Sequence, residues 1–184
     1  MILKGSQRAG GMQLATHLLN DSENDHVTIH ELRGFVSETL AGALKEAHAI
    51  SCGTRCKQFL FSLSLSPPES ANVPVEVCEE AIVAIEEKMG LTDQPRAIVF
   101  HEKEGRRHAH CVWSRIDIET MTAINLPHFK LKLRDISRQL YLENGWRMPS
   151  GLANSEERNP LNFTRAEWQQ AKRVGIDPRK IKEA

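Results

Sequence analysis

Apolar and polar residues alternate most clearly over residues 57–66. This stretch contains the run FLFSLSLS, in which Phe59, Phe61, Leu63 and Leu65 occupy one set of alternate positions and Ser62, Ser64 and Ser66 occupy the other. Side chains two residues apart in a β-strand lie on the same side, so a period of two indicates a strand with one buried and one polar face. Two prolines follow Ser66 and end the predicted strand.

Similar periodicities predict the other elements. Further strands are predicted at residues 1–4, 26–32, 96–101 and 108–117, and helices at residues 9–19, 37–50, 75–89, 128–144 and 164–173. Ser37 is the predicted N-cap of the second helix, while Gly10 and Gly11 weaken the start of the first. A charged turn over residues 102–107 would join two strands into a hairpin. A sheet with helices packed on one face would bury the apolar stripes of these elements.

Composition and charge are those of an ordinary globular domain. The chain has 184 residues, of which 40% are hydrophobic and 26% are charged, and this length suits one domain with a real core. Its 24 basic and 24 acidic residues cancel, so the net charge does not point to a nucleic-acid partner. No secretory segment and no membrane-spanning apolar run accompanies the four cysteines. We therefore predict a cytoplasmic protein with free thiols and no membrane partner.

The strongest chemical signal is the segment HEKEGRRHAH, which contains His101, His108 and His110. On a strand, His108 and His110 lie on one face, and a hairpin closed by residues 102–107 would place His101 opposite His108. Directly opposed residues share a face, with Cβ atoms about 4.5–5.5 Å apart. Three neutral imidazoles so placed can hold one divalent ion and leave coordination positions open for substrate oxygens. The helical HExxH site of zinc proteases is excluded because position 105 is glycine.

At this point the sequence becomes similar to a known family. The segment HEKEGRRHAHCVWSRID resembles the third motif of the mobilization relaxases, which belong to the HUH endonuclease superfamily. The segments FLFSLSLSPPE, DIETMTAINLPHF and LYLENGWRMPSGL also resemble that family, so the similarity covers most of residues 1–175. It implies an α+β fold with a central antiparallel sheet, the relaxase palm, covered by helices. We expect a nuclease domain over residues 1–150 and a C-terminal extension over 151–184, which leads into a longer natural protein of a bacterial cytoplasm.

The resemblance also implies an activity. Relaxases nick one strand of origin-of-transfer DNA by metal-assisted transesterification, stay linked to the 5′ end, and so initiate conjugative transfer of a plasmid or integrative element. The implied metal is manganese or magnesium; because magnesium prefers oxygen ligands, manganese or zinc is expected to bind these histidines more tightly in vitro. The implied partners are DNA that is single-stranded at the nick, accessory relaxosome proteins and secretion coupling proteins. A rolling-circle replication initiator, a transposase nuclease and a non-catalytic DNA-binding module remain alternatives.

The expected nucleophile departs from the family pattern. Most relaxases use a tyrosine on or near the first helix, but the single tyrosine here, Tyr141, lies far downstream. His17 occupies the first predicted helix, and one branch of relaxases is understood to use histidine in this role. A neutral imidazole is a competent nucleophile toward phosphorus. We predict His17 as the nucleophile, with Tyr141, another residue or an inactive enzyme as alternatives.

Supporting groups are also predicted around the histidines. Histidines that bind metal usually donate their second nitrogen to a carboxylate or carbonyl, and a base should accompany the site. The candidates for these roles are Glu31, Glu102, His30 and Glu104. Basic side chains that can bind DNA phosphates are Lys4, Arg106, Arg107 and Arg115.

Overall fold

The computed structural model describes residues 1–22, 24–69, 71–153 and 165–176. The chain divides into two compact units, Met1–Trp146 and Arg147–Ala184. The domain boundary expected at residue 150 lies near this division and stays a prediction. Residues 154–164, which belong to the predicted C-terminal extension, lie outside the described residues.

In the described part of the first unit, five strands form the main sheet. They are β1 (Ile2–Arg8), β2 (His26–Arg33), β3 (Leu60–Ser66), β4 (Arg96–Lys103) and β5 (Arg106–Ser114). Their order across the sheet is β1-β3-β5-β4-β2, and every neighbouring pair is antiparallel. A short hairpin of β6 (Ile116–Asp117) and β7 (Thr122–Ala123) follows. The predicted α+β fold with a central antiparallel sheet is confirmed.

The helices of the first unit are α1 (Gly11–Leu18), α2 (Leu40–Ser51), α3 (Val75–Met89) and α4 (Phe129–Glu143). The second unit contains α5 (Ser150–Ala153) and α6 (Arg165–Val174). Helix α2 begins later than predicted, because its N-cap is Thr39, whose hydroxyl accepts a hydrogen bond from the Gly42 amide. In the described part of the chain, no helix is long and apolar enough to cross a membrane.

Helices cover both faces of the sheet, whereas the sequence predicted helices on one. On one face, Phe61 and Leu63 pack with α3 and α4. On the other, Leu60 and Val99 pack with α1 and α2. The expectation of one covered face is wrong because the central strands carry apolar residues in consecutive positions, as in the run AIVF of β4. Strands of this composition are buried on both sides.

Helix α1 depends on packing for its position. It has eight residues and no side-chain N-cap, so its intrinsic stability is low. Leu14, Ala15 and Leu18 are buried against α2 and the sheet. Gly11 lies so close to α2 that an added Cβ would meet the Leu44 carbonyl oxygen at 3.1 Å. A glycine that weakens the helix locally therefore permits its close approach to α2.

The face that carries α1 and α2 is covered at one end and open at the other. Leu60, near the covered end of β3, is fully buried, whereas Ser64 and Ser66 on the same face are partly exposed. The serine face of β3 is thus accessible near Ser66, where the strand ends. The histidine hairpin lies beside this open region.

Candidate active site

The hairpin of β4 and β5 builds the centre of the site. His101 pairs directly opposite His108, and the strands continue as far as the pair Lys103 and Arg106. The turn consists of Glu104 and Gly105, whose φ angles of 52° and 70° both lie in the left-handed region. Two positive φ angles are the requirement of a type I′ hairpin turn, which matches the twist of the flanking strands. The turn is therefore shorter than the predicted segment 102–107.

The structure brings His101, His108 and His110 together on the face that carries α1 and α2. One potential ligand atom from each lies within 4.8 Å of the other two. The ring centroids of His101 and His110 are 4.6 Å apart, and those of His108 and His110 are 5.2 Å apart. This spacing comes from strand alternation and cross-strand pairing alone, so a local segment positions the whole cluster.

The surroundings favour the neutral form of His108 and His110. Burial, followed by positive charge on the neighbouring histidines, lowers the pKa of His110 to about 3. Burial, followed by the effect of His101, also lowers the pKa of His108. A neutral imidazole offers the lone pair that a metal requires, so no proton has to be displaced near neutral pH. The donor set fits a divalent ion, and it suits manganese or zinc better than magnesium.

A backbone carbonyl orients His101. Its Nε2 donates a hydrogen bond of 2.7 Å to the Leu18 carbonyl oxygen at the end of α1, and His101 is only 4% exposed. A carbonyl can only accept, so Nε2 carries the proton and Nδ1 keeps its lone pair. The sequence predicts a carboxylate or a carbonyl in this role, with side chains as the named candidates. The group that fills it lies 83 residues away in the chain.

His17 lies beside the cluster. It is exposed in the last turn of α1, and its ring centroid is 6.5 Å from that of His110, edge to face. Tyr141 is on α4, which packs on the opposite face of the sheet. It is 3% exposed, its ring contacts Trp146, and burial raises its pKa. Of the two candidate nucleophiles, the structure places only His17 near the histidine cluster.

Glu31 does not reach the histidines, so its predicted role is corrected. Its carboxylate accepts a hydrogen bond of 2.6 Å from Arg96, which lies on the opposite face of the sheet from His101. A bulge in β2 between Ile29 and Glu31 is the cause. Because a single extra residue moves all later side chains to the other face, Glu31 leaves the face to which simple alternation would assign it. Its partner Arg96 also binds Glu86, which is nearly fully buried.

The remaining candidates for supporting groups lie in three places. Glu102 continues β4, so its side chain lies on the face opposite His101, 3.6 Å from Arg107. It therefore does not orient the histidines. His30 is paired with Glu79 of α3 at 2.7 Å and is also away from the cluster. Glu104 lines the cleft beside the hairpin.

An open cleft of about 360 Å³ adjoins His108 and His110. Its walls also include two serines of β3 and basic residues of the hairpin, namely Ser64, Ser66, Lys103, Arg106 and Arg107. Ser64 pairs opposite His110, and Lys4 pairs opposite Ser64. Lys4 is exposed, so a row of polar side chains runs from the histidines across β3 to the sheet edge.

Arg115 is not available to DNA, which corrects its predicted role. The side chain is 6% exposed, and burial lowers its pKa. Its guanidinium donates to Gln7, to the Gln58 carbonyl and to the Ile124 carbonyl, each at 2.7 Å. Arg115 thus ties β1 to the segments before β3 and after β7.

Sequence reasoning missed several residues of the site. Lys103 lies two positions after His101 on the same strand face, and alternation would have identified it had β4 been extended through the turn. Ser64 was assigned to the polar face of its strand, but its place opposite His110 required the strand order. The Leu18 carbonyl had no signal in the sequence, because any residue type supplies a carbonyl.

Comparison with known proteins gives a match to a family model. No match was found among curated proteins. The family model described as "Relaxase: MobA/VirD2-like, nuclease domain" matches residues 14–146. The matched range begins within α1 and includes His17 and the three histidines of the hairpin. Since the match covers well over half of the sequence, the chain belongs to the MobA/VirD2-like relaxase nuclease family.

Proposed function

We propose that this protein nicks one strand of origin-of-transfer DNA and remains covalently bound to the 5′ end. The observation that carries the proposal is the placement of His17, 6.5 Å between ring centroids from His110, beside three convergent histidines. A metal-binding cluster with a potential nucleophile next to it is the arrangement that transesterification of a phosphodiester needs. Family membership supports nuclease chemistry in general.

His101, His108 and His110 are the residues that would hold the divalent ion. When bound, manganese or magnesium would stabilise the negative charge that gathers on the non-bridging oxygens of the scissile phosphate. Zinc would bind the same nitrogen ligands in vitro. The burial of His101 and the neutral state of His110 favour a preorganised site with little rearrangement on binding.

His17 would act as the nucleophile. A neutral imidazole nitrogen attacks the phosphorus and the bond between phosphorus and the 3′ oxygen breaks. The leaving 3′ oxygen takes a proton from water, and the imidazolium formed on His17 releases its ring proton to water. The 5′ strand stays on His17 as a phosphoramidate, and the other strand leaves with a free 3′ hydroxyl. The exposed position of His17 gives DNA access to it, while the buried neighbours Leu14 and Leu18 hold the helix in place.

The cleft beside the histidines would hold the DNA strand. Lys4 and Ser64 extend the row from His110 toward β1, and Lys103 provides positive charge on the hairpin side. Arg106 lies beside Lys103, and an incoming phosphate would compete with Glu69, which pairs with Arg106 at 3.0 Å. Arg107 borders the same cleft, but its guanidinium lies 3.6 Å from Glu102 on the other face of the sheet, so the phosphate contacts are assigned to the other basic groups. The strand would cross the sheet from the hairpin toward β1 with its phosphates near these groups. Accessory relaxosome proteins and secretion coupling proteins would act on this complex in a bacterial cytoplasm to start conjugative transfer.

Single-stranded DNA is expected to bind more tightly than blunt duplex, because an open cleft on the sheet suits a flexible strand. Binding should weaken with salt, since phosphate contacts release counterions at a slope of about 0.7 per contact for single strands. Lys4→Ala should lower the affinity and reduce this slope by roughly one contact. Fluorescence anisotropy with a labelled oligonucleotide at several salt concentrations measures both quantities.

Lys130→Ala is the matched control for that measurement. Lys130 is also an exposed lysine, but it lies on α4 on the opposite face of the sheet. The control should leave affinity and slope unchanged. Equal binding of duplex and single strand without salt dependence, or equal effects of the two substitutions, would contradict the proposed path.

The activity is tested with 5′- and 3′-labelled single strands from the DNA that flanks the gene, incubated with manganese. We expect one cut at one position in one of the two complementary strands, with the 5′ end of the cut retained on the protein. A chelator should abolish cleavage. Binding without any cut would favour the non-catalytic module. Cleavage only at a replication origin would favour the initiator.

A further inference from the structure

We propose that His101 ties α1 to the metal centre by binding the ion through one ring nitrogen and the Leu18 carbonyl through the other. This inference rests on the proposed function, in which the ion and His17 act on the same phosphate. Leu18 is the residue that follows His17, so a contact at its carbonyl fixes the turn that carries the nucleophile. His101 then acts as a positioning residue for His17 in addition to its role as a ligand.

The geometry of the helix end supports this role. The last carbonyls of a helix lack partners within the helix and need other donors when buried. Leu18 is fully buried, and its carbonyl accepts the 2.7 Å bond from His101, which is itself 4% exposed. Two neighbouring carbonyls of α1, those of Ala15 and His17, are engaged by amides of the chain that follows. The end of α1 is therefore anchored to the sheet through His101.

Helix α1 has few other means to fix this end. It is eight residues long and carries no side-chain N-cap. An isolated helix of this length is not stable, so its register on the sheet depends on tertiary contacts. The apolar contacts of Leu14 and Leu18 hold the helix against the core but are not directional. The bond from His101 is directional, and it links the nucleophile's backbone to a ligand of the ion.

Two isosteric substitutions separate the two roles of His101. In His101→Gln the amide nitrogen can reach the position of Nε2 and donate to the Leu18 carbonyl, while the ligand at Nδ1 is lost. In His101→Asn the shorter side chain places an oxygen near Nδ1 but cannot reach the carbonyl. His108→Gln is the matched control. His108 lies opposite His101 in the same histidine cluster but on β5, so this substitution removes a ligand and leaves the bond between His101 and the Leu18 carbonyl in place.

The experiment combines two measurements on metal-free and manganese-titrated protein. Backbone hydrogen exchange at residues 18–20 of the metal-free protein reports the anchoring of α1, with α3 as the internal reference for global stability. Exchange should rise about tenfold in His101→Asn, as expected for the loss of one buried hydrogen bond, and stay near the wild-type rate in His101→Gln and His108→Gln. Calorimetry should show manganese affinity falling by roughly a hundredfold or more in both Gln variants and less in His101→Asn.

The outcomes distinguish this inference from the proposed function. Exchange at the wild-type rate at residues 18–20 in His101→Asn would overturn the anchoring role, whatever the metal affinities are. Unchanged manganese affinity in all three variants would overturn the proposed metal site and the bridging role with it. The dual role is supported if His101→Gln keeps wild-type exchange but loses manganese affinity, while His101→Asn shows faster exchange and a smaller loss of affinity. A merely structural histidine would not affect the two measurements in opposite order.

Discussion

Changing both His108 and His110 to alanine is expected to abolish manganese binding. The wild-type protein should bind one ion per chain in a calorimetric titration, and the double variant should show no measurable heat of binding. The reason is the number of ligands: the three imidazoles lie within 4.8 Å of one another, and the double variant leaves only His101. A single histidine ligand does not hold a divalent ion against water at ordinary concentrations.

His30→Ala is the control for this titration. His30 is a histidine of the same sheet, but its ring contacts Phe100 and its Nε2 is paired with Glu79, away from the cluster. The control should bind manganese as the wild type does. Thermal unfolding of all variants shows whether the fold is retained. Unchanged affinity in the double variant, with the fold intact, would mean that the ion binds elsewhere or not at all.

The histidine cluster could be predicted from the sequence because its geometry is local. His101, His108 and His110 lie on two adjacent strands joined by a tight turn, so alternation and hairpin pairing determine which side chains share a face. The order of the elements was also predictable, since the helical and strand periodicities are clear over most of the first unit. These features require no knowledge of contacts between distant segments.

The predictions that failed depend on non-local structure. Glu31 changes faces at a bulge, and no residue pattern in β2 marks that extra residue. Arginine is a residue type that often binds phosphates, yet the hydrogen-bond partners of Arg115 come from three separate segments that fold around it. The apolar run of β4 indicates burial on both faces, but which helices cover each face is decided by contacts between distant segments. In each case the deciding contact joins residues far apart in the chain.

His17→Ala is expected to abolish the covalent adduct with origin DNA, which is the largest functional effect predicted. His17 is exposed beside His110, whereas Tyr141 is buried in α4 on the opposite face of the sheet. Tyr141→Phe should therefore form the adduct normally. The measurement is denaturing electrophoresis of the protein after incubation with labelled single-stranded DNA and manganese.

Two further measurements decide what His17 does. Manganese affinity should be unchanged in His17→Ala, because His17 is not among the three residues whose ligand atoms converge; a large fall would make it a fourth ligand. The wild-type adduct should break in mild acid, since protonation of the nitrogen of a phosphoramidate makes it a good leaving group, whereas a tyrosyl phosphodiester survives. An acid-stable adduct that persists in His17→Ala and is lost in Tyr141→Phe would require α4 to leave its packed position. The metal site would then stand, but the assignment of His17 would not.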